Sequence, residues 1–176
     1  MRRQACGEAM ARWRRHGAFA GVDWMGLSGQ MHGAVLLGAD DRVLYPAILW
    51  EDSRAVAEAE QLGPEFSGIT GSLPMAGLTA PKLLWLQHHE PEVFRAIDCV
   101  LSPKDYLRLR LSGERISETS YAAGTSWLDV ERRAWFAAML RATGLALAQT
   151  PRVIEGRSPS ACFTATALGL SAYAAS

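Results

Sequence analysis

The chain has 176 residues and no net charge, because 18 lysines and arginines balance 18 aspartates and glutamates. Its length suits one domain with a sizeable core, and 49% apolar and 20% charged residues are ordinary for a globular protein. The balanced charge gives no reason to expect a nucleic acid or a membrane surface as partner. No stretch reaches the roughly 18 apolar residues that a membrane helix needs.

The N-terminal segment is rich in arginine. Five arginines and a single glutamate lie within the first fifteen residues, which resembles a transit peptide in composition. The segment lacks serine, however, and Ala5, Ala9, Met10 and Trp13 form an apolar stripe at helical spacing. An amphipathic helix over 4–17 that packs on the domain is therefore preferred to a transit peptide.

Short apolar runs then alternate with helical patterns. Strands are predicted at 22–28, 34–37, 42–45, 99–101 and 127–130, and helices at 53–62, 81–88, 91–97, 103–111 and 131–143. Residues 67–79 are predicted to form a loop, and residues 114–126 show no clear period. The alternation predicts an α/β domain in which helices flank a mixed sheet.

The three cysteines argue against a disulfide-rich or metal-binding protein. Cys6, Cys99 and Cys162 have no spacing that suits a disulfide framework or a metal site. A reducing cytoplasm is the expected location.

The turn after the first predicted strand is the most informative stretch. It places Gln30, Met31 and His32 between Gly29 and Gly33. Glycines let the backbone approach a ligand closely, because no Cβ stands in the way. The amide and the imidazole can donate and accept hydrogen bonds, and the thioether offers a soft apolar wall. These groups suit a small polyhydroxylated ligand, and the alternative is a polar turn whose histidine bonds nearby backbone.

Other chemistry-bearing side chains are assigned structural roles. His88 and His89 are adjacent on a predicted helix and point about 100° apart, so no metal site is expected there. Asp105 and Arg108, three residues apart on a helix, are expected to form a surface ion pair. Four tryptophans with apolar neighbours are expected in the core: Trp24, Trp50, Trp85 and Trp127.

Seven blocks of sequence, taken together, resemble the FGGY family of sugar kinases, and most closely its xylulokinases. The blocks are residues 26–34, 46–50, 69–71, 79–85, 89–92, 103–110 and 122–130. The likeness runs from about residue 6 to residue 156, in chain order. It implies an incomplete actin-like (RNase H-like) N-terminal domain over 1–156, followed by a divergent Ala/Ser-rich tail over 157–176 without regular structure.

The resemblance also implies a reaction and a site. In the family, ATP with Mg²⁺ phosphorylates the sugar, and the reaction implied here is transfer to the O5 hydroxyl of D-xylulose. The resemblance assigns ketose contacts to Met31 and His32, with Gln30 and Asp52 as further substrate-binding residues. Asp52 lies in a cluster with Trp50 and Arg54, in which the family usually has asparagine where this chain has Glu51.

Two parts of the family pattern have no counterpart in this sequence. These are the Gly-rich turn that handles ATP phosphates and the aspartate that serves as general base. The resemblance therefore implies no catalytic, nucleotide-binding or metal-binding residue in this chain. The 176-residue chain alone is expected to lack useful kinase activity, because general-base help is typically worth 10²–10⁴-fold.

Two other interpretations stay open at this point. In the first, the chain is a non-catalytic remnant or interaction module. Because its sheet would be incomplete, such a chain would self-associate through an exposed sheet edge. An unrelated small α/β binding domain would show no sugar selectivity. Binding of D-xylulose that is lost in His32→Ala distinguishes the sugar site from both.

Overall fold

The computed structural model describes residues 2–16 and 22–162. The helices are α1 (Arg2–Arg15), α2 (Val56–Leu62), α3 (Ser67–Thr70), α4 (Thr79–His89), α5 (Pro91–Arg95), α6 (Pro103–Ser112), α7 (Thr119–Ala123) and α8 (Ala137–Ala142). The strands are β1 (Val35–Leu37), β2 (Cys99–Leu101), β3 (Ile116–Glu118), β4 (Leu128–Asp129), β5 (Ala134–Trp135) and β6 (Arg152–Ile154). The chain is thus mixed α and β, as predicted.

Strand β1 forms the centre of the described core. It pairs antiparallel with β2, in the register Val35 with Leu101 and Leu37 with Cys99. Isolated bridges join Ala34 to Ile48 and Leu37 to Val43. The predicted run 42–45 therefore contributes one bridging residue instead of a full hairpin strand.

Alternate residues of β1 serve two apolar clusters, because successive side chains of a strand point to opposite faces. Leu36 and Val100 join the larger cluster, which includes Leu83 and Leu86 of α4. Val35, Leu37, Cys99 and Leu101 face a smaller cluster with Leu109 of α6. Helices thus cover both faces of this strand pair, which explains why both strands are apolar throughout.

Strand β3 and helix α7 lie in the segment where the sequence shows no clear period. Strand β3 pairs in parallel with β6, Ile116 with Arg152 and Glu118 with Ile154. The Glu118 carboxylate then accepts from the amides of Ser120 and Tyr121 and caps α7. A distant strand partner and a side-chain cap define these elements, and neither produces a local hydrophobic period.

The helix predicted over 131–143 is wrong in its first half. Strands β4 and β5 form a hairpin there, and only Ala137–Ala142 is helical. The Asp129 carboxylate accepts from the amides of Glu131 and Arg132 at 3.1 and 2.8 Å, which directs the chain into a turn. Arg133 completes the turn with a φ of 56°.

The predicted buried strand over 22–28 is also wrong. Residues 22–30 have no regular secondary structure, and Val22 is 50% exposed. A strand needs a neighbour for its backbone groups, and the sheets described in 22–162 contain none for this segment. Its apolar character is therefore not matched by burial within the described residues.

The N-terminal helix is present, although the stripe predicted to pack on the domain is only partly buried. Met10 is 8% exposed, whereas Ala9 is exposed and Trp13 is 53% exposed. The last residue of the predicted helix, Gly17, lies outside the described residues. So does most of the predicted tail, since residues 163–176 are not described. None of the helices in 2–16 and 22–162 is long and apolar enough to cross a membrane.

Candidate functional site

The turn at Gln30, Met31 and His32 is closed by its own backbone. The amide of Gly33 donates to the carbonyl of Met31 at 2.8 Å. His32 lies between them with a φ of 64°, in the left-handed region that residues with a Cβ seldom adopt. The three side chains are partly buried, so they are neither in a closed apolar interior nor fully in solvent.

Helix α7 contacts both ends of this turn. The Tyr121 hydroxyl accepts from the Gly29 amide at 2.8 Å and donates to the Gly29 carbonyl. Nδ1 of His32 lies 2.7 Å from the carbonyl oxygen of Gly124, directly after the helix. A Cβ at Gly124 would come within 2.8 Å of Met31 Cε and 2.9 Å of His32 Nδ1. Glycine at this position therefore lets the two candidate ligand residues lie against α7.

Lys82 of α4 holds the backbone of the same turn. Its side chain is fully buried, and its ammonium donates to the carbonyls of His32 and Gly77 at 2.9 and 2.6 Å. The Thr79 hydroxyl donates to the His32 carbonyl as well, at 3.2 Å. Burial lowers the pKa of Lys82 to about 8, since leaving water disfavours the charged form. These donors stabilise the unusual backbone of His32.

Gly77 connects Lys82 to a second segment, which carries Trp50. A Cβ at Gly77 would lie 2.8 Å from the Trp50 carbonyl oxygen, so the two backbones touch. The Trp50 side chain is 57% exposed, and the prediction that it belongs to the core is wrong. Its indole is therefore largely exposed to solvent.

The other tryptophans divide between core and surface. Trp24 is 77% exposed, because the strand predicted around it does not form, so its assignment to the core is also wrong. Trp127 is buried and donates its Nε1 hydrogen to the Thr143 hydroxyl at 3.1 Å, as a core residue does. Trp85 is partly buried and packs against the larger cluster.

Asp52 is held by Arg54 in a two-point ion pair. Nε and Nη2 of Arg54 donate to Oδ1 and Oδ2 of Asp52 at 2.9 and 2.7 Å. This hydrogen bonding keeps the pKa of Asp52 below its usual value. The Arg54 guanidinium also stacks on the ring of Trp85, 4.7 Å from its centre. Asp52 makes no hydrogen bond to the turn within the described residues, although its charge acts on Lys82.

The structure corrects the expected surface pair of Asp105 and Arg108. Asp105 is fully buried, and Nη1 of Arg108 lies 3.6 Å from its carboxylate. Closer donors are Lys104, at 2.7 Å, and the hydroxyls of Ser102 and Ser117, at 2.8 and 2.7 Å. These donors satisfy the buried carboxylate.

The same network extends to the candidate site. The Lys104 ammonium lies 4.1 Å from the centre of the Tyr121 ring and 3.8 Å from the Glu118 carboxylate. A buried ion-pair network thus supports α7, the helix that contacts the turn. Tyr121 and Gly124 were missed as site residues because they act on the turn across about ninety residues of chain.

His88 and His89 contact different neighbours. Nδ1 of His88 lies 3.4 Å from the Glu58 carboxylate, and His89 stacks on Trp85 with ring centres 4.6 Å apart. Within 2–16 and 22–162, no group of three or more His, Cys, Asp or Glu residues could hold a metal ion.

Comparison with known proteins identifies the family. A profile described as "FGGY family of carbohydrate kinases, N-terminal domain" matches residues 4–170. The xylulose kinase of Escherichia coli (strain K12) is 53% identical over 156 residues, which cover 87% of this chain and 32% of that protein. The xylulose kinase of Klebsiella pneumoniae is 50% identical over 151 residues, 84% of this chain and 31% of that protein.

Solved structures agree with this assignment. A structure described as a "xyloylose kinase" from Brucella ovis superimposes with a TM-score of 0.86 at 48% identity, covering 91% of this chain and 34% of that chain. A glycerol kinase from Plasmodium falciparum, at 17% identity, shares the fold with a TM-score of 0.85, over 93% of this chain and 36% of that one. The expected actin-like sugar-kinase fold is confirmed.

The chain spans about a third of the length of the curated relatives it matches. The likeness covers the N-terminal part of those kinases, and it includes the Gln30–His32 turn and the helix that holds it. The chain therefore belongs to the FGGY family of carbohydrate kinases, as an N-terminal domain of that family.

Proposed function

We propose that the chain forms the sugar-binding wall of a kinase that transfers a phosphoryl group from ATP to the O5 hydroxyl of D-xylulose. The observation that carries this proposal is the turn at Met31 and His32, which Tyr121, Gly124 and Lys82 hold in place. A short turn with strained backbone that is held by several neighbouring residues is typical of a ligand site, because such backbone persists only where the surrounding structure fixes it. The names of the similar proteins favour D-xylulose as the sugar.

The proposed roles follow from the chemistry of each side chain. His32 and Gln30 hydrogen-bond sugar hydroxyls, and Met31 contacts the carbon skeleton. The exposed Trp50, on the segment that contacts Gly77, adds an aromatic surface. Asp52 has spare acceptor capacity, since a carboxylate has about four lone-pair sites and Arg54 uses three, through its backbone amide, Nε and Nη2.

The described residues include no cluster of three acidic, histidine or cysteine ligands, whereas Mg²⁺ in kinases is held by carboxylates together with phosphate oxygens. We therefore assign no step of phosphoryl transfer, and no catalytic base, to residues 2–16 and 22–162. Their proposed contribution is to bind and orient the sugar, and positioning of reactants is worth about 7–11 kcal/mol in favourable cases.

We propose that residues 1–156 form the kinase unit and that residues 157–176 form a tail that takes no part in the sugar site. The proposed location is the cytoplasm, because the spacing of Cys6, Cys99 and Cys162 suits no disulfide framework.

Calorimetric titration of D-xylulose into the 176-residue chain tests the proposal. Saturable binding that falls at least tenfold in His32→Ala and Met31→Ala supports it. His16→Ala, at an exposed histidine outside the turn, is the matched control and should bind as the unaltered chain does. Absence of binding by the folded chain, or an equal loss in the control, contradicts the sugar site.

A second candidate function is association with another copy of the chain. It is favoured by an exposed apolar segment, in which Val22 and Trp24 are 50% and 77% exposed. Sedimentation analysis over a hundredfold concentration range tests it, with Trp24→Ser as the variant. Trp13→Ser, at a tryptophan of 53% exposure on α1, is the control. A monomer at all concentrations, or equal behaviour of the two variants, contradicts this candidate.

A further inference from the structure

The imidazole of His32 meets a group that can only accept a hydrogen bond. Its Nδ1 lies 2.7 Å from the carbonyl oxygen of Gly124. A carbonyl oxygen has no hydrogen to donate, so Nδ1 must carry the proton for this short contact to be a hydrogen bond. In a neutral imidazole the other nitrogen, Nε2, is then the acceptor.

The position of the ring is set by more than this one contact. Lys82 and Thr79 hold the His32 carbonyl, at 2.9 and 3.2 Å, and thereby fix the backbone from which the ring projects. The missing side chain of Gly124 lets the ring approach, since a Cβ there would lie 2.9 Å from both Nδ1 and Cε1. Rotating the ring to present Nδ1 to a ligand would break the hydrogen bond to Gly124.

Nε2 is the ring nitrogen that remains for a ligand. It has no hydrogen-bond partner in 2–16 and 22–162, and it is not among the buried polar atoms without a partner there. An accessible nitrogen with a lone pair and no protein partner can accept a hydrogen bond from a bound molecule.

We propose that the carbonyl of Gly124 fixes His32 as the Nδ1–H tautomer, so that Nε2 accepts a hydrogen bond from a sugar hydroxyl. This inference deepens the proposed function and rests on it for the nature of the ligand. It makes Gly124 a positioning residue through its backbone oxygen. It also sets the direction of the hydrogen bond between His32 and the sugar, because the sugar hydroxyl must donate its hydrogen to Nε2.

The tautomer is measured directly and without any ligand. Two-bond ¹H–¹⁵N correlation spectra of the uniformly labelled chain, above the pH at which histidines are protonated, distinguish protonated from unprotonated ring nitrogens. The expected pattern for His32 is a protonated Nδ1 and an unprotonated Nε2. His16, which is exposed, provides the comparison within the same spectrum. A protonated Nε2 at His32 would overturn the proposal whether or not the chain binds sugar.

The direction of this hydrogen bond is tested with sugar analogues in which one hydroxyl is replaced by a group that cannot donate a hydrogen bond. Replacing a hydroxyl by fluorine removes its hydrogen, so one of a set of monofluorinated D-xyluloses should bind roughly tenfold more weakly than D-xylulose. In His32→Asn, whose amide can still donate to the Gly124 carbonyl but lacks an acceptor at the Nε2 position, that penalty should vanish. If the unaltered chain binds all fluorinated sugars as well as D-xylulose, the proposed hydrogen bond is absent.

The outcomes separate this inference from the proposed function. A folded chain with the Nδ1–H pattern that binds no sugar contradicts the sugar site and leaves the tautomer established. A chain that binds D-xylulose with His32 in the Nε2–H form keeps the site and overturns the inference. Gly124→Ala supplies a further check, because its Cβ would push the ring from the carbonyl and should mix the two tautomers.

Discussion

The ammonium of Lys82 lies 2.9 Å from the backbone carbonyl of His32, and the lysine side chain is fully buried. The same ammonium reaches the Gly77 carbonyl at 2.6 Å. One buried side chain thus connects the candidate ligand turn to the segment that carries Trp50. The lysine acts on the shape of the site through backbone atoms and does not need to touch a ligand.

Lys82→Met should destabilise the domain by about 2–4 kcal/mol at pH 7, because it removes the buried donor shared by two partly buried carbonyls. The free energy of unfolding from urea titration measures this effect. Binding of D-xylulose should weaken as well, because the His32 backbone loses a donor. Unchanged stability would show that other groups can satisfy these carbonyls.

The cost of Lys82→Met should also depend on pH. The pKa of Lys82 is about 8 in the folded protein and near 10.5 when unfolded, so between these values the unfolded chain binds more protons. Stability contributed by Lys82 therefore rises with pH over this range, by at most roughly 3 kcal/mol, and is lowest below pH 8. The difference between the two proteins should be larger at pH 10 than at pH 7, and a constant difference would contradict the lowered pKa.

Tyr121→Phe should weaken binding of D-xylulose by roughly threefold to tenfold, because the hydroxyl that holds Gly29 by its amide and carbonyl is lost. Calorimetric titration measures the change. Tyr106→Phe is the matched control, at a tyrosine of α6 that packs against the smaller apolar cluster. Equal affinities of the two variants would show that α7 does not position the turn.

Gly77→Ala should cost about 1–3 kcal/mol of stability, because its Cβ would meet the Trp50 carbonyl oxygen at 2.8 Å and one backbone must move. Thermal or urea unfolding gives the number. Gly68→Ala, in α3 with open space around the new methyl, should be neutral or slightly stabilising. A neutral Gly77→Ala would mean that the two segments are not in fixed contact.

Asp105→Asn should destabilise the domain by about 3 kcal/mol, because it leaves the buried Lys104 ammonium without its main counter-charge. Urea unfolding at pH 7 checks this value. Asp98→Asn removes an ion pair with Arg115 whose carboxylate side chain is 44% exposed, and should cost less than about 1 kcal/mol. Similar costs for the two changes would contradict the burial of Asp105.

Asp52→Asn should alter stability only above the acid range. The pKa of Asp52 is lowered by Arg54 from 3.8, so its contribution is present above this value and disappears as the pH falls through the folded pKa. The pair is partly exposed, which limits the contribution to about 0.2–1 kcal/mol. The stabilities of the unaltered chain and the variant should therefore converge as the pH falls through the folded pKa of Asp52, below 3.8, and a gap that widens as the pH falls would reverse the assignment.

The sequence predicted local features of this fold well. Strand β2 and the helices that begin at Pro91 and Pro103 were found because prolines and apolar runs mark them within a few residues. The turn at Met31 was predicted correctly, because glycines flank it. The strand before it was wrong, since apolar residues alone do not provide a strand neighbour.

The support of the candidate site was not predictable from local patterns. Tyr121 and Lys82 reach the turn from 92 and 50 residues away, so neither leaves a mark near His32 in the sequence. The capping of α7 by Glu118 likewise depends on the pairing of β3 with β6. The roles of Gln30, Met31, His32 and Asp52 toward a sugar stay predictions.

The left-handed backbone of His32 implies a conflict between the stability of the fold and the binding of a ligand. Glycine would relax this conformation at little steric cost, whereas an imidazole there carries a strain on the order of 1 kcal/mol. A variant library screened for thermal robustness alone should therefore enrich glycine at position 32. The same library screened for ligand retention should keep histidine, at the expense of melting temperature.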